Sequence, residues 1–197
     1  MSDAALWALR REREVVEIAA IGEWRDWLAA NHACRQSVWL VTFKARHPRH
    51  VPYADTVREA LCFGWIDSLP RKVDEDRTAH LMSPRKPTSA WSGLNKRHVA
   101  ELLDENRMMP PGLAAIERAK ANGMWTFLDE VERLEVPGDL ARAFAGRPGS
   151  RAEWDRFPPS ARRGMLEWIK QARRKETRAK RVEAVAREAA EGRSALG

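Results

Sequence analysis

The patterning of the chain predicts an α+β fold: a small N-terminal antiparallel-sheet lobe with helices, followed by an all-helical C-terminal lobe. Three observations carry it. Period-two alternation occurs only before Pro87, in SVWLVTFK (Ser37 to Lys44), in Trp65 to Val73 and in RTAHLMS (Arg77 to Ser83). After Pro87 the apolar residues recur every three or four positions, as on one helix face. Proline, glycine and serine punctuate that second half at helix-length intervals. The expected divisions are an arm over 1–20, an α+β lobe over 21–87, a helical lobe over 88–192 and a tail over 193–197.

Residues 1–20 are charged with a weak apolar repeat, which fits a short helix or an ordered arm. Trp24, Trp27 and Leu28 follow i, i+3, i+4 and predict a helix ending near Asn31. In SVWLVTFK both faces are apolar, so this strand belongs in the middle of its sheet. A His-, Pro- and Arg-rich loop leads to a helix from about Ala54 to Phe63, with Gly64 placed to stop it. Trp65 to Val73 and Arg77 to Ser83 read as an antiparallel pair across the polar turn Asp74 to Asp76.

Ser89 is the expected cap of a helix reaching about Asn106, with Trp91, Leu94, Val99 and Leu102 inward. Pro110 and Pro111 open the next helix, which stops at Gly123. A short helical stretch is expected within Trp125 to Val136 and another segment over Gly138 to Ala145. Ser150 to Glu153 has capping-box spacing, and Ser160 is the expected cap of a last helical run to Gly192, with a break near Glu176 and Thr177.

A chain of 197 residues can bury a core without metal or disulfide. Its two cysteines, Cys34 and Cys62, lack any CxxC or CxxH spacing and read as buried free thiols rather than a redox or zinc pair. No apolar run reaches the roughly 20 residues of a membrane span, and MSDAALWALRREREVV lacks the apolar core of a signal peptide, so a cytoplasmic location is expected. The net charge of +7 is concentrated between Lys170 and Arg181, where seven Lys or Arg face a single Glu176. Such a run is either a solvated helix face or a surface for nucleic acid or acidic lipid, through Arg173, Arg174, Lys175, Arg178, Lys180 and Arg181.

The densest stretch runs from Ala60 to Trp91. With ALCFGWID (Ala60 to Asp67), SPRKPTSAWSGLNKRHV (Ser83 to Val99) and ARRGMLEWIKQARRKETRAKRV (Ala161 to Val182), the chain resembles the bacterial YdeI/OmpD-associated, or bacteriocin-protection, family over roughly residues 20 to 192. The resemblance implies a role in stress tolerance, or in protection against antimicrobial peptides or bacteriocins, with no known catalytic step. It also carries a cell-envelope association that the absent signal peptide does not support.

The residues themselves point to a ligand site. Arg85, Lys86, Ser89, Trp91, Ser92 and Asn95 form a proline-flanked basic loop meeting a helix start, where free N–H groups favour an anion and an indole can stack on a flat ligand. On a strand Trp65, Asp67, Leu69 and Arg71 share one face, which adds a carboxylate and a guanidinium beside an indole. The plain alternative is that Ser89 only caps, Trp91 only packs, and Asp67 forms a structural ion pair. The five histidines show no metal spacing, so neither a metal nor a cofactor is expected. With no Gly-rich phosphate loop and no GxSxG, hydrolase and transferase readings have no anchor. The sequence therefore favours a non-enzymatic protein binding a small anionic or aromatic ligand in an inter-lobe cleft. Nucleic-acid binding by the tail, and an enzyme built on Asp67 with His80 or His98, stay open.

Overall fold

The computed structural model describes residues 3–33 and 36–197. Elements run α1 (Asp3–Glu12), β1 (Val15–Glu17), α2 (Ile21–Asn31), β2 (Val38–Phe43), α3 (Tyr53–Cys62), β3 (Trp65–Lys72), β4 (Arg77–Pro84), α4 (Gly93–Asp104) and α5 (Pro110–Ala121). Five helices follow: α6 (Asp129–Glu132), α7 (Gly138–Ala145), α8 (Ser150–Arg156), α9 (Pro159–Lys170) and α10 (Lys175–Ala190). The α+β division expected from the patterning is what the structure has. Compactness separates two units, Met1–Thr126 and Phe127–Gly197; the boundary expected at 87/88 falls inside the first. Trp91, Val99, Leu102 and Ile116 belong to the same apolar cluster as the sheet residues Leu40 and Met82, which ties α4 and α5 to the sheet.

The sheet order is β1-β2-β4-β3. β2 to β4 and β4 to β3 pair antiparallel, as the alternation predicted. The arm adds a parallel edge strand, Val15 opposite Trp39, so the sheet is mixed. Three residues are too short a run for alternation to reveal it. All six residues of β2 are buried because both faces of the strand are covered. Leu6 and Leu9 of α1 cover Trp39, Val41 and Ala79 on one side. Opposite, Val38, Leu40, Trp65 and Met82 pack with Trp24 and Leu28 of α2 and Leu61 of α3.

Gly64 ends α3 with a φ of +74°, where an L side chain is strained. Gly112 is required for a different reason: a Cβ there would lie 2.3 Å from the Cys62 carbonyl oxygen, so α5 seats directly on the end of α3. Cys62 itself is a buried free thiol; Cys34 lies outside the described residues. Glu59 is a buried carboxylate on α3, accepting from Arg25 at 2.7 Å and from Arg107. Removal of either cation would leave a buried charge under-compensated.

Several expected caps move. Ser92, not Ser89, caps α4, its Oγ accepting from the Asn95 N–H at 3.2 Å. Ser150 is buried, and its hydroxyl donates back to the carbonyls of Phe144 and Arg147, so it forms no capping box. Pro159 rather than Ser160 opens α9, since a proline at the first helical turn forfeits no hydrogen bond. The break before α10 lies at 171–174, ahead of Glu176. In the second unit, Leu140 and Phe144 of α7, Trp154 of α8, Met165 and Ile169 of α9 and Val185 of α10 are buried.

Candidate functional site

One irregularity in β3 decides which side chains can meet. Asp67 lies opposite Met82, whereas Pro70 lies opposite His80 and Arg71 opposite Ala79, so one extra residue is inserted between Asp67 and Pro70. Because the side-chain period is two, a one-residue slip sends every later side chain to the other face. Asp67 therefore stays on the Met82 side, where α3 and α4 pack. Arg71 turns to the α1 side, pairing with Glu12 at 2.8 Å and lying 4.5 Å over the Trp39 ring. Pro70 is tolerated here because β3 is a sheet edge, where a missing N–H costs no ladder bond.

On its own face Asp67 borders a cavity of about 270 Å³ with Tyr53, Val57, Ser92, Asn95 and His98. Tyr53 and Val57 stand four apart on α3, and Asn95 and His98 three apart on α4, so each pair lies on one side of its helix; Ala54 and Leu94 add a third lining residue from each. All of these residues belong to the first compact unit. The Tyr53 hydroxyl donates to Asp67 Oδ2, and its ring packs on the His80 imidazole with centroids 4.3 Å apart. Burial, with the Asp67 hydrogen bond, raises the Tyr53 phenol above its ordinary range. Burial lowers His80, and the nearby Asp67 charge opposes that shift.

Across the cavity Asn95 is 9% exposed, and its side chain forms no hydrogen bond with another described residue. The His98 Nδ1 is buried without a hydrogen-bond partner, with Glu101 Oε2 at 3.6 Å. Leu94, half exposed, stands at the rim.

The other expected site residues lie elsewhere. Trp65 is fully buried in a cluster with Trp24 and Trp27, and its indole N–H donates to the His32 carbonyl. Arg85 is 6% exposed, lies 3.7 Å over the Trp91 ring and donates through Nη1 to the Ala90 carbonyl at 3.0 Å. Burial pushes its guanidinium down to about 10, with the Asp67 charge opposing the fall. Trp91 is a core residue against Trp125. Lys86 is exposed, and Ser89 donates its backbone N–H to the Lys86 carbonyl in a turn. The structure thus brings together Asp67, Ser92 and Asn95. It adds Tyr53, the one tyrosine of the chain, which sequence pattern gave no reason to select.

A larger hollow of about 630 Å³ lies at the β3–β4 turn. Most of its charges are already paired: Arg77 binds Asp74 and Glu17, Lys72 binds Glu75 and Asp76 binds Arg46, while Arg49 lies over the Phe43 ring. A ligand there would have to break those pairs, whereas the smaller cavity offers a polar side chain with no protein partner.

In the second unit the expected basic surface is divided. Arg178 forks onto both oxygens of Asp139 at 2.7 and 3.0 Å, and holds that carboxyl below the usual aspartate range. Arg181 lies over Trp168 at 5.0 Å and donates to its carbonyl. Arg173, Arg174, Lys175 and Lys180 are exposed and form no ion pair with a described carboxylate. Among the described residues no cluster of His, Cys, Asp or Glu could hold a metal ion, and no helix is long and apolar enough to cross a membrane.

Comparison with protein families divides the chain in two. Residues 16–115 match a domain of unknown function (DUF8412), and residues 133–192 match the family described as Bacteriocin-protection, YdeI or OmpD-Associated. The cavity, together with the ALCFGWID and SPRKPTSAWSGLNKRHV stretches, falls in the first match; the Arg178–Asp139 pair and the basic run fall in the second. No curated protein and no solved structure matches the chain. Residues 133–192 are similar to the YdeI/OmpD-associated family, and through residues 16–115, half its length, the chain belongs to a domain family of unknown function.

Proposed function

We propose that the protein is a non-enzymatic binding protein whose cavity between α3, β3 and α4 takes a small aromatic ligand. One observation carries the reading: Asn95, nine-tenths buried, lines that cavity with Asp67 and has a carboxamide that no described residue satisfies. Its amide atoms keep contact with the cavity's solvent, which leaves them to pair with a ligand atom that displaces water. Tyr53, Val57 and Leu94 supply apolar surface, and about 270 Å³ suits one or two rings.

Of the two ligand classes expected from sequence, the anionic one lacks its cations. Among the described residues no Lys or Arg borders the cavity, and Ser92 already occupies the Asn95 N–H at the start of α4. A ligand carboxylate about 4 Å from Asp67 would meet repulsion of ~4 kcal/mol at an effective dielectric constant near 20. The reading is non-enzymatic because the family resemblance implies no catalytic step, and Asp67 and His80 each engage Tyr53, the one by a hydrogen bond and the other by ring packing.

A net charge of +7 does not draw in cationic peptides. Any bacteriocin or stress protection is therefore indirect, exerted through the bound ligand, and the setting proposed is the cytoplasm. The test is a saturation-transfer NMR screen of one- and two-ring fragments against the protein and its Asn95→Leu variant. Hits that vanish in the variant support the reading; a screen without such hits contradicts it.

Four exposed cations of the basic run without an ion pair to a described carboxylate favour a second reading, attraction of nucleic acid by Arg173, Arg174, Lys175 and Lys180.

A further inference from the structure

We infer that the ligand meets Asp67 with a planar amidine-like edge, adjacent N–H donors on a nitrogen heterocycle, and meets Asn95 with an acceptor or donor beside that edge. This rests on the cavity being a ligand site, and it names the chemistry that the site selects.

Asp67 is an acceptor with one side already oriented. Tyr53 donates to Oδ2, which fixes the carboxylate plane and leaves Oδ1 and the second lone pair of Oδ2 for another donor. Among the described residues no Lys or Arg forms an ion pair with Asp67. Arg71 is on the opposite face of the sheet with Glu12, and Arg85 spends its Nη1 on Ala90 while its guanidinium stacks on Trp91. Two parallel N–H groups on a flat ligand reproduce the fork that arginine offers a carboxylate.

Asn95 at the start of α4 sets the remainder of the edge. A carboxamide donates and accepts, so Asn95 complements a ring nitrogen or carbonyl next to the N–H pair. Val57 and Leu94 contribute apolar contact for the body of the ring system. Selectivity follows from what is left unpaired. An analogue with a methyl group in place of the exocyclic amine keeps its shape but withdraws a hydrogen bond from Asp67 on closing the site.

Isothermal titration with 2-aminobenzimidazole, 2-methylbenzimidazole and benzoate tests the inference on the unaltered protein, Asp67→Asn and Asn95→Leu. The expected result is binding of 2-aminobenzimidazole that is at least about tenfold tighter than that of the methyl analogue, and at least about tenfold weaker in Asp67→Asn. Equal affinities for the two benzimidazoles, or tighter binding of benzoate, overturn the donor-edge assignment; if Asn95→Leu still abolishes that binding, the cavity stands as a ligand site. Absence of saturable binding by all three probes overturns both. The analogue comparison is made on the unaltered protein, so it holds even where a variant fails to fold.

Discussion

The Tyr53 hydroxyl donates to Asp67 Oδ2, fastening the first turn of α3 to β3 immediately before the bulge that turns Arg71 to the far side of the sheet. That bond gives the cavity its fixed acceptor. It also ties the acceptor to the His80 ring, on which Tyr53 packs.

Tyr53→Phe removes the bond while keeping the ring on His80. At a residue 43% exposed, the loss should be ~1 kcal/mol in urea unfolding. A variant indistinguishable from the parent would show that the bond does not hold α3 to β3.

His80 should make stability depend on pH. Its folded-state pKa is lowered by burial, so the unfolded chain takes up the proton first. Its contribution is complete above the unfolded value of about 6.5 and declines as pH falls from there toward the folded value. Between about pH 7.5 and about pH 5.5 the urea midpoint should drop, and His80→Phe, which keeps a ring against Tyr53, should reduce that drop. An unchanged profile in the variant would assign the dependence elsewhere.

Arg85 carries a buried charge that feels Asp67 only at longer range, and among the described residues it has no ion-pair partner and its Nε and Nη2 no acceptor. Arg85→Met keeps much of the stem over Trp91 and removes the desolvated charge. Thermal unfolding should show stability unchanged or higher by ~1 kcal/mol. A loss above about 2 kcal/mol would mean that the guanidinium itself holds the 85–91 loop.

For the basic run, four rather than six cations remain to meet phosphate. Duplex DNA binding, if it occurs there, should weaken with a log–log salt slope of about −3 to −4. Changing Arg173, Arg174, Lys175 and Lys180 to glutamine should abolish it. Binding that survives those changes is not made by this surface.

The strands were legible because Val38 to Phe43 and Arg77 to Pro84 carry clean patterns, and β2 is apolar on both faces because both are covered. Asp67 was singled out from strand alternation and Ser92 and Asn95 from their place at a helix start, and all three line one cavity. Arg71 was not, since alternation assumes an unbroken strand; Pro70 in the middle of that segment is the signal that could have marked the bulge. Tyr53 was missed because its partner is 14 residues away, across a helix. Trp65 and Trp91 read equally as stacking platforms or core from sequence, and only packing distinguishes the two.

The most direct test of the cavity is a ¹H–¹⁵N NMR titration with 2-aminobenzimidazole. The account predicts saturable shifts centred on Ala54, Asp67, Ser92, Asn95 and His98 that disappear in Asn95→Leu. Shifts confined to the Lys72 to Arg77 turn, or none at saturating probe, would contradict it.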